Sequence, residues 1–151
     1  MSSALSRIAR TLFLTTALAS AALANAADFV SIKGKSVNIR EQPTTQSARV
    51  WELSRGYPLQ VLKRQGDWLQ VRDFEETLGW VYAPLTVKTA HRVVKVETAN
   101  LRAGPGTNHK VLGKLVQGEI LRTLARSGSW VKIERDGGQQ GWVSANLAWG
   151  W

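Results

Sequence analysis

The sequence predicts an all-β chain built as two small barrels in tandem. Three observations lead there. The chain repeats itself at an offset of 62 residues without a gap, and 17 of the 62 pairs between 28–89 and 90–151 are identical. Each copy breaks into short apolar runs separated by turn residues, with strands recurring about every 8–12 positions, as in a small all-β barrel. No stretch keeps a helical period.

The second copy carries the cleaner signals. Val93, Val94 and Val96, then Ala99 to Arg102, form an opening strand pair or one long bent strand. Gly104-Pro105-Gly106-Thr107-Asn108 is a turn, with Pro fixing one dihedral and Gly supplying positive φ. Val111 to Val116 is a short strand, and Gln117-Gly118 turns into a strand over Glu119 to Leu124. Ser127-Gly128-Ser129 makes a tight hairpin into Trp130 to Glu134. Asp136-Gly137-Gly138 turns again into Gly141 to Ser144. Ala145 to Leu147 reads as one helical turn before a last short strand.

Alternation assigns the faces. Val131 and Ile133 point one way, and Trp130 and Lys132 the other. Leu69 and Val71 likewise oppose Trp68 and Gln70. The aliphatic sets are the expected cores. The connection between copies, Thr86 to Arg92, has about seven residues and neither Gly nor Pro. That is short and not a flexible tether, so two barrels held close are expected.

The first 26 residues stand outside the repeat. Arg7 and Arg10 precede an uncharged apolar run from Thr11 to Ala24, and Ala24-Asn25-Ala26 has the A-x-A form of a cleavage site. This is the pattern of a secretory signal peptide. The run is about 14 residues, short of the ~20 that span a bilayer. The expected boundaries are a leader at 1–26, a first domain at 27–87 and a second at 92–151. No membrane span is expected after cleavage. The expected location is the periplasm or the extracellular space. There is no cysteine, so disulfides and lipidation of an N-terminal cysteine are impossible.

Beyond the leader, 18 basic and 11 acidic side chains leave a net charge of +7. Residues 27–89 carry 9 basic and 7 acidic groups, whereas 90–151 carry 9 and 4. A basic secreted protein meets anionic partners, although moderate charge also serves plain solubility. Charge alone is a thin basis for nucleic-acid binding, and none is expected. Catalysis is not expected either. His91 and His109 lie in the connection and in a turn, unsuited to metal ligation. No catalytic residue, metal ligand or cofactor is assigned.

Aromatic residues are the better clue, because all seven Trp lie beyond the leader. Four form shared pairs, Trp68 with Trp130 and Trp80 with Trp142. Trp80 and Trp142, each between Gly and Val, suit packing. Trp68 and Trp130, off the core face after a hairpin, suit either packing or a groove. Asn38 with Arg40, and Asn100 with Arg102, open the long loop. They either satisfy the loop locally or offer a fork to a ligand carboxylate. Trp51, Tyr57, Phe74 and Tyr82 face Gly113, Glu119, Asp136 and Ser144 in the other copy. Those small or polar equivalents place the four aromatics at the surface, as a recognition patch or against the other barrel. Trp149, matching Val87, is expected to close the second barrel, and Trp151 to be partly exposed.

The second copy, Asn100-Leu101-Arg102, Gly104-Pro105-Gly106-Thr107, Val111-Leu112-Gly113, Gly118, Gly128-Ser129-Trp130 and Gly141-Trp142-Val143, resembles the bacterial SH3 domains (SH3b). The first copy resembles them through Asn38-Ile39-Arg40, Pro43 and Gly79-Trp80-Val81, but has Glu41-Gln42-Pro43-Thr44 at the Gly-Pro-Gly turn. The resemblance implies two tandem SH3-like β-barrels and a role in cell-wall or peptide binding. The function expected from it is non-catalytic binding of envelope material, with peptidoglycan stem peptide first. The candidate groove residues are Trp68, Trp130, Arg40, Arg102, Asn38, Asn100, Tyr57 and Tyr82, and the candidate interaction surface is Trp51 and Phe74. The alternative is an adaptor that scaffolds or regulates an envelope protein such as a wall hydrolase. It expects the first-copy aromatics to cluster on an exposed face.

Overall fold

The structure, a computed structural model, describes residues 26–151. The expected leader thus lies, apart from Ala26, outside the described residues. The first unit contains β1 (Phe29–Ile32), β2 (Ser36–Arg40), β3 (Arg49–Ser54), β4 (Pro58–Gln65), β5 (Trp68–Arg72), β6 (Leu78–Tyr82) and β7 (Thr86–Val87). A 3-10 turn over Ala83–Leu85 separates the last two. The second contains β8 (His91–Val94), β9 (Thr98–Arg102), β10 (Val111–Val116), β11 (Ile120–Ser127), β12 (Trp130–Arg135), β13 (Gln140–Ser144) and β14 (Ala148–Gly150). Its 3-10 turn falls at Ala145–Leu147, where the sequence predicts one.

Both sheets have one strand order: β3-β2-β6-β5-β4-β1-β7, and β10-β9-β13-β12-β11-β8-β14. Residues from β1 through β6 meet in a single core, so the sheet wraps on itself. Val30, Ile32, Val37, Ile39, Leu59, Val71 and Val81 fill the first core. Val94, Leu101, Leu115, Leu121, Val131, Ile133 and Val143 fill the second. Val131 and Ile133 are fully buried, as alternation requires, while Trp130 and Lys132 stay half-buried. Each such aliphatic side chain stabilises its barrel by about 1.5–3 kcal/mol.

The shared glycines serve the fold. Gly56 and Gly118 hold φ of 82° and 83°, and Gly66 and Gly128 hold 58° and 57°. Only glycine adopts such turns without strain. Both long strands slip register at the same place, Val61/Lys63 in β4 and Thr123/Ala125 in β11. The bulge leaves Leu62 and Leu124 exposed and bends the strand around its core.

The connection is shorter than the sequence suggests. Thr86 and Val87 pair with β1, and His91 already opens β8. Only 88–90 remain between strands. Across the junction Phe29 meets Trp149, with ring centroids 5.1 Å apart at 70°, and Trp151, at 5.4 Å and 18°. Trp149 thus packs across the junction, and it is not among the residues that close the second core. Beneath it, the buried Ser31 hydroxyl donates to the Thr89 carbonyl at 2.9 Å, and His91 Nδ1 lies 3.1 Å from Ser31 Oγ. Gly56 sits against His91 and Ile120 of the second barrel; a Cβ there would lie 3.0 Å from both side chains.

Candidate functional site

In the first barrel, three strands converge on a groove. Along β2, Val37 and Ile39 point into the core, so Asn38 points out and Arg40 lies half-buried at the rim. The Gly66 turn starts β5 at Trp68, whose ring leaves the core face while Leu69 and Val71 enter it. Antiparallel register sets Trp68 opposite Tyr82, the last residue of β6. Their rings lie 5.5 Å apart at 53°. Asn38, Arg40, Thr45, Trp68, Tyr82 and Leu85 line a groove of about 190 Å³. It has aromatic walls, an amide and one guanidinium, and no acidic residue. Arg40 spends one nitrogen on the loop, donating from Nη1 to the Ser47 carbonyl at 2.7 Å.

The same construction recurs in the second barrel with a different surface. Arg102 Nη1 donates to the carbonyls of Thr107 and His109, at 3.0 and 3.1 Å. Holding the loop is thus the role common to both arginines. Asn100 accepts a bond from Lys114. Trp130 stands in register with Ser144, not with an aromatic residue. The Ser144 hydroxyl donates to Asn146 Oδ1 at 2.7 Å.

Two bacterial SH3 domain models match this chain, one over residues 33–88 and one over 97–148. The chain belongs to the bacterial SH3 domain family. Among proteins, it is 28% identical over 120 residues to a Bacillus subtilis protein named as an N-acetylmuramoyl-L-alanine amidase. That match covers 72% of this chain but only 23% of the relative. It is also 28% identical over 65 residues to Staphylococcus epidermidis proteins named as cell wall amidases, covering 42% of this chain and 22% of theirs. The chain thus spans about a quarter of the length of these relatives. Among solved structures, an NlpC/P60 family protein from Bacillus cereus aligns over 82% of this chain and 56% of its own. Its TM-score is 0.38 at 14% identity. The CBD of an endolysin aligns over 82% and 93%, at TM-score 0.35 and 19% identity.

The remaining aromatics of the first SH3 barrel do not gather into a patch. Trp51 and Tyr57 pack against its core, contrary to the surface placement expected from Gly113 and Glu119. The Trp51 ring fills space over Gly79, where an added Cβ would lie 3.0 Å from it. Its Nε1 is buried without an acceptor. Burial above all, then Asp73 and Glu75, raises the Tyr57 phenol well above its usual range. Phe74 is half-buried in a turn shaped by Asp73 Oδ1, which accepts from the Glu75 and Thr77 amides at 2.9 Å each. Tyr82, 38% exposed, is the most exposed of these four. The shared Trp80 is buried, with Lys63 Nζ 5.4 Å from its ring centre.

Among the described residues, no group of three His, Asp or Glu side chains is placed to hold a metal ion, and no helix is long and apolar enough to cross a membrane. A wider groove of about 710 Å³ runs between the SH3 barrels. Four of its charged lining residues form ion pairs: Arg135 Nε donates to Glu119 at 2.7 Å, and Arg122 lies 3.8 Å from Glu134. Leu85, identical to Leu147 across the repeat, is not singled out in the sequence and is brought to the first groove by the 3-10 turn.

Proposed function

We propose that this is a non-catalytic protein of the cell envelope, located in the periplasm or secreted, that binds peptidoglycan through its first SH3 barrel. The stem peptide is the ligand class that suits the groove. One observation carries the reading: Trp68 and Tyr82 form an aromatic wall beside Asn38 and Arg40, with no acid among the lining residues. Extended peptides dock into aromatic-lined grooves with few side-chain anchors. A guanidinium at the rim suits a peptide carboxylate. The net positive charge favours an anionic polymer. The relatives named as wall amidases support a wall setting. The matches cover 23% and 22% of those relatives. The adaptor reading expected the first-barrel aromatics on one exposed face, and Trp51 and Tyr57 pack on the core instead.

Co-sedimentation with insoluble murein sacculi at low salt tests this. The protein with both barrels is expected in the pellet. Tyr82→Ser, which installs the second barrel's residue, and Trp68→Ala are expected in the supernatant. Wild-type protein that stays in the supernatant sinks the proposal.

A further inference from the structure

The two barrels differ in charge at a corner beside β1 and β8. In the first, β1 contributes the buried Val30, and Arg64 reaches Asp67 at 3.9 Å across the hairpin. At the equivalent positions the second barrel has Arg92, Arg126 and Ser129. It has gained a cation and lost a carboxylate in the same place. Arg92, Arg126, Ser129, Ser144 and Asn146 line a cavity of about 530 Å³ that has no acidic residue in its lining.

Arg92 is an unusual residue to bury. It is 7% exposed, in a strand otherwise filled by Val93 and Val94. Nη1 donates to the Ala148 carbonyl at 2.9 Å, while Nε is buried with no acceptor. Among the described residues, neither Arg92 nor Arg126 has a carboxylate within salt-bridge distance. Burial first, and the Arg126 charge second, hold the Arg92 guanidinium below the usual arginine range. A buried cation without a counter-charge is costly. Around it the cavity offers donors. The Ser144 hydroxyl satisfies the Asn146 oxygen and leaves the Asn146 amide nitrogen available. The hydroxyl of Ser129 stands where the first barrel has its carboxylate.

We propose that Arg92 and Arg126, with Ser129 and Asn146, form an oxyanion site that takes a carboxylate or phosphate group of a ligand on the second barrel. Guanidinium forks suit both groups, and the anion supplies the charge that the protein withholds. The site shares no residue with the first-barrel groove and stands independently of the stem-peptide reading.

Titration of ¹⁵N-labelled protein carrying both barrels, with inorganic phosphate or with acetate at constant ionic strength, tests it. The Arg92 Nε–H signal and the Ser129 and Asn146 amides are expected to shift and saturate. Saturation by phosphate alone assigns a phosphate ligand, by acetate alone a carboxylate, and by both an unselective oxyanion site. Arg92→Val, the first barrel's residue, is expected to weaken binding at least tenfold. Ser129→Asp restores the internal carboxylate at an exposed position and is expected to do the same, so it decides the matter if Arg92→Val fails to fold. Shifts that rise linearly without saturation, or that saturate equally in wild type and Ser129→Asp, overturn the proposal.

Discussion

Phe29 of the first barrel stacks on Trp151 of the second, with centroids 5.4 Å apart and ring planes 18° apart. Trp149 closes on the same ring edge-on. Aromatic pairs of this kind contribute about 0.5–1.5 kcal/mol beyond area burial. Phe29→Ala is therefore expected to cost about 2 kcal/mol, part from lost burial and part from lost stacking. Thermal unfolding should show the lowered midpoint, and Trp fluorescence a wetter environment. An unchanged midpoint would mean the junction contributes nothing to stability.

Gly56 and Gly118 have matching turns, yet only Gly56 lacks room. A Cβ at Gly118 meets nothing within 4 Å, whereas one at Gly56 meets His91 and Ile120. Both Ala variants carry the left-handed strain, about 1 kcal/mol. Gly56→Ala also crowds the junction, which adds about 1–2 kcal/mol. Urea unfolding of the two variants is expected to show that difference. Equal costs would contradict the approach of the two barrels.

Tyr57 sets a limit in alkali. Its phenol keeps its proton in the folded chain to a higher pH than in the unfolded chain, chiefly because it is buried. Below the unfolded value near 10 both states are protonated, and its contribution to stability is complete. As pH rises above that value, the unfolded chain loses the proton first and stability falls. The slope is at most about 1.4 kcal/mol per pH unit. Tyr57→Phe is expected to flatten the alkaline limb of a urea-midpoint profile. A variant profile that follows wild type removes Tyr57 as the cause.

Arg92→Val is expected to stabilise the protein when no anion is bound. The change removes a buried, uncompensated charge and installs the residue that the first barrel packs at the same place. A gain of about 1–2 kcal/mol is expected in chloride buffer, measured by urea unfolding. Destabilisation would show instead that the bond to the Ala148 carbonyl and the packing of the side-chain stem outweigh the buried charge.

Much of the frame was legible because its signals are local. Alternation put Val131 and Ile133 inside and Trp130 outside, and the shared glycines marked the turns. The groove was half legible: Trp68, Asn38 and Arg40 stood out, while the pairing of Trp68 with Tyr82 depends on strand register. Trp51 was misplaced because the space it fills is created by Gly79 on a strand that pairs with β2, not with its own. The Phe29–Trp151 contact joins residues from opposite ends of the double module, and no spacing rule reaches that far. The charged corner did leave a trace, in the exchange of Val30 for Arg92 and of Asp67 for Ser129 between the copies. Its meaning needed the burial of Arg92.

The three residues between β7 and β8 have a consequence for anything that touches both barrels. With so little slack, the groove at Trp68 and the cation pair at Arg92 sit at a set separation, as marks on a ruler. A polymer whose repeat matches that separation gains its second contact as an intramolecular event, at high effective concentration. One with a different repeat gains only a single contact and leaves quickly. Selectivity would then lie in spacing along the ligand as much as in the chemistry of either contact.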